Sequence, residues 1–218
     1  MKGLLVKDLM LLKAQKNSLI ILVLMLFGFT FIMDNSAMFV ISWSLMLGCI
    51  LSSGTINYDE FDNGNAFLFS LPITRTAYSL EKYGFCIITS LVTWLLAVVL
   101  VLIKNTSSID IDDVLVPALI MIPVVFLAIS LMIPLLFKYG NEKGRLMFFG
   151  VFAAIYFVLF TGIKDTISNI MVDSFINSII EYAIENTKVF LAILFMIAII
   201  ILLISIGASI KIMKNKEF

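Results

Sequence analysis

Histidine is absent from this chain of 218 residues, and cysteine is confined to Cys49 and Cys86. The first absence removes zinc proteases built on a His-Glu-x-x-His helix and hydrolases built on a Ser-His pair, because both need an imidazole as ligand or base. The two cysteines lie in or beside apolar runs without Cys-x-x-Cys spacing. Neither a disulfide framework nor a thiolate metal site is therefore expected, and both read as inert packing residues. No G-x-x-x-x-G-K-[ST] phosphate loop occurs, so any ATP would have to be hydrolysed by another subunit. Charge is scarce as well. Asp, Glu, Lys and Arg make up 14% of the chain against 61% hydrophobic residues, with a mean hydropathy of +1.11. Soluble domains carry about a quarter charged and about half apolar residues, so composition alone makes this a polytopic membrane protein. A formal net charge of +0 disfavours nucleic acid as a partner. The N-terminal MKGLLVKDLMLLKAQKN has no small-residue cleavage site after a short apolar core and is not read as a removable signal.

A helix needs about 20 mainly apolar residues to cross a hydrocarbon core about 30 Å thick. Six runs qualify as expected spans: Ser18 to Met33, Ala37 to Ile56, Tyr83 to Ile103, Val114 to Phe137, Leu146 to Ile163, and Val189 to Ile210. The first is short, and only Asp34 to Ser36 separate it from the second, which makes the pair a helical hairpin. With a cytoplasmic N-terminus, the inside segments carry 12 of the 15 Lys and Arg. Lys104, Lys164 and Lys188 fall outside, among eight carboxylates. That bias predicts both termini in the cytoplasm of a multi-pass cell-membrane protein.

None of the six runs contains Asp, Glu, Lys or Arg. An ion-coupled carrier would be expected to bury at least one such group in its spans, so this absence argues against a secondary transporter. The hydroxyls inside the runs, such as Ser44, Ser52, Thr93, Ser130, Ser205 and Ser209, suit hydrogen bonding between helices. Pro117, Pro123 and Pro134 lie in or at the edge of the fourth run and predict a kinked, flexible span.

Three polar stretches remain. Residues 1–17 combine Lys2, Lys7, Lys13 and Lys16 with Leu5, Leu9 and Leu12 on one helical side, the pattern of an interfacial helix with leucines dipped into the acyl boundary. Residues 164–188 form an external segment between the fifth and sixth spans. Its apolar face includes Met171, Phe175, Ile176, Ile179 and Tyr182, opposite Asp173, Asn177, Glu181 and Glu185. Such a helix either gates an exit or caps the bundle. The third stretch, Asn57 to Leu71, is a polar, aromatic insert between two spans, followed by Pro72 to Arg75. Asn57 and Glu60 resemble a capping box and predict that a helix starts there, with Pro72 ending it. Tyr58, Phe61, Leu68, Phe69 and Leu71 fall on one side of the wheel, with Asp59, Asn63 and Ser70 opposite, so the segment is expected to press an aromatic knob into a partner's groove. Gly64 weakens it as an isolated helix.

The N-terminal MKGLLVKDLMLLKAQKN, two spans, and then YDEFDNGNAFLFSLPITRTAYSLEKY leading into a third span resemble the small type-2 ABC export permeases of Gram-positive bacteria. The resemblance covers the six-span topology, treats residues 1–218 as one permease domain, and is closest to permeases that export amphipathic peptide toxins, the phenol-soluble modulins. It implies that residues 57–75 are the coupling helix, seated in a cleft of a cytoplasmic ABC ATPase subunit. Docking is thereby assigned to Tyr58, Asp59, Glu60, Phe61, Asn65, Phe67, Leu71, Pro72 and Arg75. It also implies a dimer of permease subunits, ATP and Mg held only by the ATPase partner, and no catalysis on this chain. A rival reading is a membrane immunity or sensor protein that binds peptides without transport. A membrane-embedded enzyme is disfavoured by the absent histidines and the lack of carboxylates in the spans.

Overall fold

The computed structural model describes residues 2–32, 37–61, 64–104, 111–157 and 186–216. Their secondary structure is helical: α1 (Lys2–Ala14), α2 (Lys16–Ile32), α3 (Ala37–Glu60), α4 (Gly64–Ser70), α5 (Arg75–Lys104), α6 (Ile111–Tyr139), α7 (Asn141–Phe157) and α8 (Thr187–Asn215). Among the described residues, four helices are long and apolar enough to cross a membrane: α3, α5, the Val114–Tyr139 part of α6, and α8. A fifth span is reached only if α1 and α2 are joined across a 69° bend. The second, third, fourth and sixth expected spans are thus found among the described residues. The first corresponds to α2, described over 17 residues as far as Ile32, and its expected end at Met33 lies outside the described residues. The fifth is represented by α7, also of 17 residues, and its expected end at Ile163 lies outside the described residues. The expected external helix, with Met171, Phe175, Ile176, Ile179 and Tyr182, lies outside them too.

The bundle is built around α3, α5, α6 and α8. Helix α5 shows why these sequences pack. Its buried residues include Tyr78, Lys82, Tyr83, Cys86, Ser90, Ala97 and Val101, recurring at helical spacing. Ile88, Val92, Leu95, Val99 and Ile103 stand exposed. In lipid the small and polar residues turn inward, where backbones approach closely, and the large aliphatic ones meet the acyl chains. The helices approach closely at Gly48 on α3, where a Cβ would lie 2.8 Å from the Cα of Ser90. No larger residue fits between these two helices without moving one of them.

Hydroxyls cross-link the bundle as their positions predict. Thr93 Oγ1 donates to the Ser44 carbonyl at 2.9 Å, and Tyr83 Oη bonds Ser209 Oγ at 2.8 Å and Ser205 Oγ at 2.6 Å. Ser205 in turn donates to the carbonyl of Ser130 on α6. Trp94 Nε1 donates to the Ala118 carbonyl at 3.1 Å. Cys49 and Cys86, distant in sequence, are buried free thiols with their sulfurs 3.7 Å apart. Helix α6 is continuous through Pro117, Pro123 and Pro134.

Two buried clusters divide the core along its length. One gathers Leu22, Leu26, Val40, Ile41, Ala97, Val101, Val114 and Ala118. The other gathers Ile56, Leu68, Tyr78, Leu136, Phe137 and Met213. This second end of the bundle also holds α1, α4 and most of the described charges, and is called the charged end below. Between α1, α2, α3 and α5 runs an apolar groove of about 410 Å³. Leu5, Leu9 and Leu12, the leucines of the expected interfacial face, line it.

Candidate functional site

The insert does not begin at Asn57. Helix α3 carries straight on through Asn57, Tyr58 and Asp59 to Glu60, and a separate seven-residue helix, α4, follows at Gly64. The reason is the company kept by Asp59. Continuing the helix delivers its carboxylate, only 6% exposed, to three donors: Lys7 of α1, Lys82 Nζ of α5 at 2.8 Å, and Tyr78 Oη at 3.1 Å. A cap at Asn57 would break the helix before this contact could form. Gly64 also acquires a reason. A Cβ there would stand 2.9 Å from the Asp59 carbonyl oxygen, so glycine lets α4 start directly against the end of α3.

Asp59 belongs to a larger charged cluster that the sequence reading did not single out. Asp8 of α1 is fully buried and receives Lys82. Thr55 Oγ1 donates to Asp8 Oδ2 at 3.1 Å, and Lys82 Nζ to Thr55 Oγ1 at 3.0 Å. Lys7 Nζ lies 3.2 Å from Asp8 Oδ1. Three helices, α1, α3 and α5, are thereby clasped by two ammonium groups and two carboxylates. Removing one partner from such a buried pair costs about 3 to 5 kcal/mol, because the other charge is left stranded. The sequence signal was present in retrospect: Tyr78, Glu81 and Lys82 share one face at i, i+3 and i+4. Counting charges by loop rather than by helix face obscured it.

A third carboxylate, Glu81, is only 4% exposed. Helix α5 has 30 residues, about 45 Å of helix against a hydrocarbon core of about 30 Å. The excess is enough to leave its first two turns, before the span expected from Tyr83, outside the hydrocarbon. Burial pushes the Glu81 carboxyl up to about 7, with Lys82 opposing and Asp8 adding to the rise. Among the described residues, no three His, Cys, Asp or Glu side chains converge as metal ligands.

The docking residues expected in the insert divide sharply by exposure. Phe61 and Phe67 are 70% and 72% exposed, and Tyr58, Leu71 and Pro72 are exposed with them. Asp59 and Asn65 are buried, and Asn65 Oδ1 finds no hydrogen-bond partner among the described residues. Leu68 and Phe69, placed on the knob by the helical wheel, turn inward instead. Leu68 enters the core, and Phe69 packs edge-on against Tyr78 at 5.5 Å between ring centroids. The wheel erred because it ran one helix through residues 57–71, whereas α3 and α4 are two helices with a break between them.

The remaining two predicted residues tie the insert to the far end of the chain. Arg75 Nη1 reaches the carbonyls of Met213, Lys214 and Lys216 at 2.9, 2.7 and 2.7 Å, capping α8 with a cation where its dipole is negative. Its guanidinium also stands 5.7 Å over the Phe69 ring. Lys216 Nζ bonds Glu60 Oε1 at 3.0 Å. The insert is therefore a short aromatic projection anchored at its base to α1, α3, α5 and α8.

A family model described as ABC-2 family transporter protein matches residues 3–214, from α1 to the end of α8. The chain belongs to the ABC-2 transporter family. As an ABC-2 family member it is a multi-pass membrane protein, the permease subunit of an ABC transporter rather than a catalyst, and the match takes in both the clasp and the insert. Neither the curated proteins nor the solved structures yielded a match.

Proposed function

We propose that this permease subunit couples to a cytoplasmic ABC ATPase through the exposed part of the insert, and that ATP-driven movement of the partner opens a path for export of an amphipathic peptide or other hydrophobic cargo. The observation that carries the reading is the pair Phe61 and Phe67, large rings held in the open on an internally braced base. Exposed aromatics of this kind are strong anchors for a partner's groove. On this reading Tyr58, Phe61, Phe67, Leu71 and Pro72 meet the ATPase. Asp59, Glu60, Asn65 and Arg75 hold the insert in position and carry its movement into α3, α5 and α8. The charged end is then the cytoplasmic end, ATP and Mg reside on the partner, and two permease subunits, alike or different, complete the membrane core. The apolar lining of the spans favours a hydrophobic or amphipathic cargo over a sugar or an ion. The segment 164–188, with Met171, Phe175, Ile176, Ile179 and Tyr182, is proposed to lie at the outer exit of the path.

The test is reconstitution of the purified complex into inside-out vesicles with a fluorescent amphipathic peptide. ATP-dependent accumulation inside the vesicles supports export. Peptide binding to the permease without ATP-dependent accumulation would instead favour an immunity or sensor role.

A further inference from the structure

The clasp at the charged end contains an imbalance of charge and of hydrogen bonding, and both point to the same residue. From α1 it receives Lys7 and Asp8, from α3 Asp59, and from α5 Tyr78, Glu81 and Lys82. Three carboxylates thus face two ammonium groups in a buried site. The oxygens tell the same story. Among the described residues, Glu81 Oε1 and Oε2 are buried without a hydrogen-bond donor, Lys82 Nζ comes no nearer to Glu81 than 4.0 Å, and Asp8 Oδ1 faces the Lys7 ammonium at 3.2 Å without a well-formed hydrogen bond. Glu81 and Asp8 nevertheless crowd around one ammonium group, since Lys82 Nζ is paired with Asp8 Oδ2 and lies 4.0 Å from Glu81 Oε2. Two ionised carboxylates brought together in this way offer each other no donor, since each only accepts. Leaving a buried charged acceptor unmatched is among the costliest arrangements a protein interior can hold.

We propose that Glu81 is protonated in the folded protein and donates that proton to Asp8, so that a carboxyl–carboxylate hydrogen bond fastens α1 to α5 and makes this junction sensitive to pH. One proton balances the clasp, with two carboxylates against two ammonium groups, and turns the neighbour of Asp8 from a second acceptor into a donor. Losing the proton to water restores the repulsion. The element released is α1, whose other buried anchor in the core at this end is Leu4. The sign follows from the raised titration. Glu81 ionises more easily in the unfolded chain, so its contribution is largest in acid, declines as pH rises from about 4.5 to about 7, and is flat above that. The α1 junction is therefore tightest on the acid side of neutrality. Acidification of the compartment facing the charged end would tighten it.

Infrared difference spectra and hydrogen exchange on the intact protein in detergent test this. Wild type should show a protonated-carboxyl stretch near pH 6 that is missing from Glu81→Gln and disappears by about pH 9. Exchange across residues 2–14, relative to Glu81→Gln, should accelerate several-fold between pH 6 and pH 8, because glutamine keeps a donor to Asp8 but cannot titrate. If the glutamine variant does not fold, the pH-dependent carboxyl band of wild type alone decides the matter. A wild type without that band at pH 6, or a Glu81→Gln variant with the same pH-dependent exchange as wild type, would overturn the proposal.

Discussion

Asp59 and Phe61 are two residues apart and have opposite surroundings. The carboxylate is enclosed by Lys7, Lys82 and Tyr78, while the ring stands in the open with Phe67. The contrast teaches that the insert has an inward half that holds this chain together and an outward half that does little for it. An acidic, aromatic loop in a membrane protein invites a single explanation, partner docking by charge and ring alike. The structure separates the two. The Asp59 charge is consumed internally, Glu60 is engaged with Lys216, and the outward half is left mainly to aromatic and aliphatic side chains.

The most severe way to break the inward half is Asp59→Ala. It takes one carboxylate from a buried clasp, leaving Lys7 and Lys82 to share Asp8, and should cost about 3 to 5 kcal/mol, seen as a large drop in melting temperature and in yield from the membrane. Arg75→Ala comes next. Removing a charged donor to the carbonyls of Met213, Lys214 and Lys216 should cost about 1.5 to 3 kcal/mol. Hydrogen exchange should rise over the last turn of α8 while α1 stays protected. Gly48→Leu attacks the same helix pair away from any charge, where a side chain must push α3 off α5. A loss of about 1 to 3 kcal/mol is expected, with the pH response of the α1 junction unaltered. Phe61→Ser with Phe67→Ser should have the smallest effect on the isolated subunit, within about 0.5 kcal/mol in a melting experiment. A large destabilisation there would show that the rings are structural and would erase the distinction between the two halves.

Composition and hydropathy were enough to read an all-helical membrane protein with its charges gathered toward one end, because lipid imposes helices on any spanning chain and excludes charge from them. The hydroxyl cross-links were legible for the same reason, and Thr93, Ser205 and Ser209 make bonds between helices as expected. Of the two exposed rings, Phe61 lay on the face picked out by the helical wheel, whereas Phe67 entered only through the family resemblance. What pattern could not supply was the tertiary pairing of charges. Asp8 pairs with Lys82 and Asp59 with Lys7 across 74 and 52 residues, and a local window sees each as an ordinary loop or interfacial charge. The false helix start at Asn57 has the same origin. Local capping chemistry was outweighed by a buried ion pair that requires α3 to continue for another turn.

The central claim is that the outward half of the insert engages the ATPase and the inward half does not. It is tested most directly by the ratio of ATPase to permease in complexes purified from cells carrying Phe61→Ser with Phe67→Ser. The account predicts that this permease reaches the membrane at normal levels and melts normally, yet retains at most about a tenth of the bound ATPase. That loss would correspond to about 1.4 kcal/mol or more of lost docking energy. A well-folded double variant that keeps its full complement of ATPase would contradict it.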